Sequence, residues 1–214
     1  FYYLPATHME TVYLGLTTSE IVTLPDGKEV MVHVANSGRM RELLQPGNPC
    51  YLTHYPGEHR KTAYDLTLVA IVRNPENAIA EERPSYDSKT ISPQNPPPPD
   101  MGQEQVLVSA DSRVPNALIW ETWREGGLPQ FAGYTDGRRE VTFYDSRLDM
   151  MLDGSNGKCY IEMKSVTLVV DGIARFPDAP TERGRKHVAT LMKAVEEGHR
   201  AAAVFVIQRD DATG

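Results

Sequence analysis

Cysteine is scarce in this chain: Cys50 and Cys159 are the only two among 214 residues, far apart and each set among apolar, strand-like neighbours. That excludes a disulfide-stapled secreted scaffold and predicts two buried free thiols in a reducing cytoplasm. Long apolar runs are missing as well. Nothing approaches the ~18 residues of a membrane-spanning helix, and the opening FYYLPATHMETVYLGL has no basic segment followed by an apolar one. Neither a membrane segment nor an export signal is therefore predicted. Basic residues are in deficit, 22 Lys and Arg against 29 Asp and Glu, for a net charge of −7. This balance argues against holding duplex DNA by bulk charge, because non-specific affinity rests largely on Lys and Arg at phosphates. The deficit is uneven, however: Pro75 to Gln105 carries six acids and two bases, a net of −4. No internal repeat is visible. The chain starts without Met and stops soon after a strand-like run, and it reads as a fragment.

What is present centres on Ser146 to Val166, SRLDMMLDGSNGKCYIEMKSV. With a period of two, Leu148, Met150 and Leu152 fall on one side of the first arm, and Cys159, Ile161, Met163 and Ser165 on one side of the second. Between the arms, DGSNGK holds an Asp-Gly and an Asn-Gly, pairs suited to the positive φ angles of a hairpin loop. If Leu152 and Cys159 close the loop, Asp149 falls opposite Glu162, and Arg147 opposite Lys164. Directly opposed side chains have Cβ atoms ~5 Å apart, and like charges there repel unless something positive sits between them. Two carboxylates with no His or Cys partner suit a hard ion, Mg²⁺ or Mn²⁺, that takes its remaining ligands from water and substrate phosphate. Lys164 projects from the same face as Glu162. It is placed to polarise the scissile phosphate or to hold the attacking water. The pattern resembles the short signature of PD-(D/E)xK nucleases, with Asp149, Glu162 and Lys164 in its positions.

The flanking chain divides in three. Residues 1–73 have an irregular start, then EIVTL, a PDGK turn, VMVHVAN, CYLTHY and DLTLVAIVR, short strands that predict a small OB-like β-barrel. Asn36, Arg39, Arg60 and Lys61 on its loops are candidate nucleic-acid contacts. Residues 74–105 are rich in proline and charge, too polar to fold alone, and read as a linker or surface insertion. Residues 106–214 predict an α/β domain with a mixed sheet. There VLVSAD leads through Pro115 into a helix with Leu118, Ile119 and Trp123 on one side, ending near Gly126-Gly127. Glu121 on this helix, and Glu140 in the approach to the hairpin, are further candidate metal ligands. Beyond the hairpin a second helix is predicted from Val188, Leu191 or Met192, and Val195, closed by Gly198. Arg183, Arg185, Lys186 and His187 crowd its first turns, against the dipole's preference, an arrangement that a bound phosphate would resolve. AAAVFVIQR reads as a strand buried on both faces, with Gln208 at its end within reach of the site.

Several stretches together resemble the sugar fermentation stimulation protein A (SfsA) family: HVANSGRMRELLQPG, RKTAYDL, SRVPNALIWE, SRLDMMLDGSNGKCYIEMKSVTL, FPDAPTERGRKHVATLM and GHRAAAVFVIQR. They run in the family's order and cover most of the chain. The resemblance implies an OB-like domain followed by a PD-(D/E)xK nuclease-like domain, with DNA as ligand and a link to sugar utilisation. It carries over Asp149, Glu162 and Lys164 as the site, with Ser146 and Arg147 in the motif before the Asp. The chain departs from the family in lacking a basic Arg-Phe pair in its first strand, in its longer Pro-rich insertion, and in having no segment after the last strand. The expected function is metal-dependent cleavage of DNA. A non-catalytic DNA-binding regulator on the same fold is the alternative, and an enzyme acting on RNA or a small phosphate ester a third reading. Oligomeric state is left open, a homodimer included.

Overall fold

The computed structural model describes residues 9–13, 21–24, 26–36, 38, 40, 42–45, 48–55, 60–72, 105–177 and 181–214. Expectations placed on Arg39 and on residues 74–104 lie outside them. The chain separates into two units: the described residues of Phe1–Asp111 with Val169–Ile173 and Arg209–Gly214, and Ser112–Leu168 with Ala174–Gln208.

Apolar side chains at strand spacing build the first unit. Strands β1 (Met9–Tyr13), β2 (Ile21–Thr23), β3 (Glu29–His33), β4 (Pro49–His54) and β5 (Tyr64–Val72) lie in the order β1-β4-β5-β3-β2. Gly27, at φ 83°, makes the turn before β3, and Asp26 Oδ1 accepts the Lys28 N–H at 2.9 Å. Long β5 has β4 along one side. On its other side Tyr64 and Asp65 pair with β3 in parallel, and Leu68–Val72 with β6 (Gln105–Ser109) antiparallel. A bulge at Tyr51/Leu52 bends the β4–β5 pair, which adds the local twist a closing sheet needs. Val22, Val32, Cys50, Leu52, Leu66 and Val69 fill the core with Val106 and Val108.

Two elements differ from the sequence reading. β1 lies in the segment read as irregular, held by pairing with β4, a long-range contact that no local pattern displays. β6, read as the head of the second domain, joins the first sheet because Val106 and Val108 complete that core.

The second unit is a four-stranded sheet of order β12-β9-β8-β7 between two helices. Its elements are α1 (Val114–Arg124), β7 (Tyr134–Phe143), β8 (Ser146–Gly154), β9 (Gly157–Val166), α2 (Glu182–Glu196) and β12 (Arg200–Ile207). A short ribbon, β10 (Leu168–Val170) with β11 (Ile173–Arg175), precedes α2. Helix α1 has Pro115 in its first turn, where a missing N–H goes unnoticed, and ends at Gly126, φ 76°. Its Ile119, Leu118, Trp120 and Trp123 pack on Met150, Leu152, Cys159, Ile161 and Met163. Helix α2 is capped by Thr181, whose Oγ1 accepts the Gly184 N–H at 3.0 Å, and is closed by Gly198 at φ 84°. Its Leu191 and Ala194 pack on Leu148, Met151 and Tyr160 from the opposite face. β12 runs parallel to β9, as a strand returning through a helix does.

Three side-chain expectations are corrected. Helix α2 buries His187, Thr190, Leu191 and Ala194, while Val188, Met192 and Val195 are exposed. Of the residues read as the inner face, Leu191 is buried, whereas Val188 and Val195 follow the exposed stripe about 100° round the helix. β12 is an edge strand with Phe205 and Ile207 exposed, so it is not buried on both faces. Leu148 does not share a face with Met150 and Leu152: it packs with Met151 towards α2, and they pack towards α1. Alternation therefore slips by one residue at Asp149, and Glu140, at that level of β7, takes the left-handed φ of 54°.

Candidate active site

The hairpin forms in the register its sequence specifies, with Leu152 opposite Cys159 and the pairing running back to Met150 opposite Ile161. Gly157, φ 81°, supplies the left-handed step of the turn. The ladder as described stops there. Next in register would be Asp149 with Glu162, but the Asp149 side chain enters in place of the backbone, its Oδ2 accepting the Met163 N–H at 2.7 Å. Because alternation has slipped, Asp149 faces α1, where Asn116 Nδ2 donates to Oδ1 at 2.8 Å. Burial is the main force raising the Asp149 pKa above the ordinary carboxylate value, with the nearby Glu162 charge adding to it; the Met163 and Asn116 hydrogen bonds and Lys164 oppose.

Glu162 faces α2. It is 3% exposed, and its Oε1 accepts from both Lys164 Nζ and His187 Nδ1. Its Oε2 is buried with no hydrogen-bond partner among the described residues. Lys164 is bonded to Glu162, and Asp149 is near enough to feel the Glu162 charge, but the two carboxylates turn to opposite faces of the sheet instead of lying side by side on one. Each carboxylate is held by a different helix, through Asn116 of α1 and His187 of α2. Sequence reasoning missed both partners. His187 had been counted with the basic helix start; its place four residues before Leu191 and seven before Ala194 was the available signal.

The other candidates are dispersed. Glu140 is exposed and pairs with Arg147 Nη2 at 2.9 Å. Glu121 is exposed on α1, and no hydrogen bond or ion pair among the described residues ties its carboxylate to Asp149 or Glu162. Lys186 pairs with Asp145 at 3.1 Å, while Arg183 and Arg185 are exposed on the first turns of α2. Gln208, whose N–H donates to Val166 O at 2.9 Å, follows β12 at the C-terminal end of β9; its Nε2 and the Ser165 Oγ are buried without hydrogen-bond partners among the described residues. In the first unit, Asn36 is occupied at both ends, donating to Ala110 O at 3.2 Å and accepting from Gly38 N at 2.8 Å. Arg60 pairs with the buried Asp65 and lies over the Tyr55 ring, 4.5 Å from its centroid. Lys61 is exposed.

No group of three or more His, Cys, Asp and Glu is placed to hold a metal among the described residues. A cation held by Asp149 and Glu162 would therefore have to be a hard one that draws its other ligands from water and substrate. The unpartnered Oε2 of Glu162 and the desolvated Asp149 are the features that such an ion would satisfy.

The fold defines an α+β protein in which an OB domain precedes a mixed-sheet domain. Residues 19–75 match the model of the SfsA N-terminal OB domain and residues 113–214 that of the sugar fermentation stimulation protein RE domain. The chain belongs to the SfsA family. It is 43% identical over 180 residues to the sugar fermentation stimulation protein homolog of Desulforamulus reducens, 84% of this chain and 62% of that protein. The homolog from Caldanaerobacter subterraneus subsp. tengcongensis is 40% identical over 186 residues, 87% of this chain and 67% of the relative. That from Moorella thermoacetica is 37% identical over 212 residues, 98% and 78%. The chain thus spans about two thirds of the first two relatives' lengths. Among solved structures it is similar to Pyrococcus furiosus SfsA in complex with Ca²⁺, with a TM-score of 0.71 at 23% identity over 97% of this chain and 76% of that one.

Proposed function

We propose that this protein is a metal-dependent phosphodiesterase acting on DNA, with Asp149 and Glu162 holding Mg²⁺ or Mn²⁺ and Lys164 serving the scissile phosphate or the attacking water. Glu162 carries the reading. It is a buried carboxylate with two donors on one oxygen and none on the other among the described residues, in a class of groups that are nearly always satisfied. The Ca²⁺ complex of Pyrococcus furiosus SfsA supports a hard divalent ion as the ligand. When bound, the cation supplies charge neutralisation and a lowered pKa for water. The chain's own groups do the rest. Asn116 and the Met163 N–H orient Asp149. Lys164, tethered to Glu162, keeps a positive charge at the mouth of the β8–β9 split. Arg183 and Arg185 offer phosphate contacts at the α2 N-terminus, where the free N–H groups add to them. Arg147, Lys186 and Gln208, and in the first unit Lys61, complete the proposed DNA contacts.

The test is cleavage of single- and double-stranded DNA with Mg²⁺ or Mn²⁺ by the wild type, Lys164→Ala and Glu162→Ala. Activity reduced by about 100-fold or more in both variants is expected. Undiminished activity in the variants would move the site elsewhere. Salt-sensitive DNA binding with no cleavage in any protein would leave the non-catalytic regulator.

A further inference from the structure

Four observations converge on His187. Its ring is buried and its Nδ1 bonds to Glu162 Oε1, the oxygen that Lys164 also takes. Glu162 Oε2 is left without a hydrogen-bond partner among the described residues. One turn along α2, Thr190 Oγ1 meets Ser146 Oγ at 2.8 Å in a buried contact that fixes the helix against the start of β8. Thr181 caps the same helix one and a half turns earlier, so the height of His187 against the sheet is set on both sides.

We infer that His187 is the positioning residue of the metal site: it holds Glu162 so that Oε2 remains open for the cation and Lys164 is confined to Oε1. Because a carboxylate accepts, the proton of the shared hydrogen bond sits on Nδ1. Without that donor the Lys164 ammonium is free to bridge both carboxylate oxygens. A cation would then have to break an ion pair in order to bind, and Lys164 would be drawn away from the phosphate. Partners that orient a ligand carboxylate are typically worth about 10–100-fold in metal affinity or activity. The inference rests on the metal-site reading above.

The experiment measures Mn²⁺ binding by calorimetry and DNA cleavage for the full chain and two folded variants. His187→Asn keeps an N–H donor close to the place of Nδ1, and His187→Leu keeps the bulk without it. Leu is expected to lose Mn²⁺ affinity by about 10–100-fold and to lower kcat more than it raises KM, and Asn to recover most of both. If Leu merely lowers the melting temperature while binding Mn²⁺ as the wild type does, His187 is structural and the inference falls. If Leu and Asn are equally impaired, the ring itself is the ligand, which also overturns it. A wild-type chain that binds no Mn²⁺ removes the metal site and this role together; wild-type binding with an unaffected Leu variant removes only the role.

Discussion

At the scale of single residues, Asp149 sets stability against function. Burial and the Glu162 charge raise its pKa, so its contribution to stability is present at low pH and is lost as pH rises through its folded pKa. At neutral pH the metal-free protein therefore carries a penalty. Asp149→Asn removes it, and melting in the presence of a chelator should show the variant more stable than the wild type at neutral pH. The gap should close as the pH is lowered through the Asp149 titration, and Mn²⁺ should stabilise the wild type alone. A variant that melts below the wild type at neutral pH would show that the hydrogen bonds from Asn116 and Met163 outweigh desolvation. Burial moves the thiols in the same direction: it pushes Cys50 up to about 12 and raises Cys159, so thiol reagents should label neither until the protein is denatured. Labelling of the native chain at the rate of a free thiol would contradict that burial. The hairpin and its register were legible because the turn is local, and the E-x-K spacing is what singles out Asp149, Glu162 and Lys164 as candidates. Asn116 and His187 were not, because an Asn after a helix-starting proline and a His in a basic run acquire their roles only from what the helix is packed against.

Elements were legible where a local signal closes them. The Gly157 turn, the Gly126 and Gly198 helix ends and the proline start of α1 all stand where their residue chemistry put them. What could not be read was the slip at Asp149, because strand alternation predicts a straight arm, and the slip involves the left-handed Glu140 of β7 and the Asp149 side chain that bonds the Met163 N–H. Gly154 tests how tightly that sheet is built. A Cβ there would lie 2.3 Å from Gly133 O and 2.8 Å from Tyr134 Cα, backbone atoms that no rotamer change can move. Gly154→Ala should destabilise by about 3 kcal/mol, the upper end of ordinary overpacking, read from the shift in denaturant midpoint. Gly157→Ala meets open space and should show only the ~1–2 kcal/mol of a left-handed alanine. Equal effects at the two glycines would mean that β7 and β8 are not in close contact at that level.

Across the whole molecule, a net charge of −7 contrasts with a proposed polyanionic substrate. The contrast eases once charge is counted by place: residues 75–105 account for −4 of it. In the second unit, Arg147 and Lys186 are tied to surface carboxylates, exposed pairs of small energetic worth that phosphate can compete for. Arg183 and Arg185 stand exposed where the α2 dipole favours an anion, although Glu182 and the Thr181 cap already supply part of what the N-terminus requires. If these arginines contact phosphate, each releases about one counterion when DNA binds, and together they contribute roughly two units to the slope of log affinity against log salt. The double variant Arg183→Ala with Arg185→Ala should therefore bind DNA more weakly at low salt and with a slope shallower by about two. Its Mn²⁺ affinity should stay as in the wild type, since neither side chain touches Asp149 or Glu162 by any contact among the described residues. A parallel salt dependence in the variant would separate the basic helix start from DNA recognition and leave its charges as a solvated face. A fall in Mn²⁺ affinity would instead show that the first turns of α2 reach the metal site through His187.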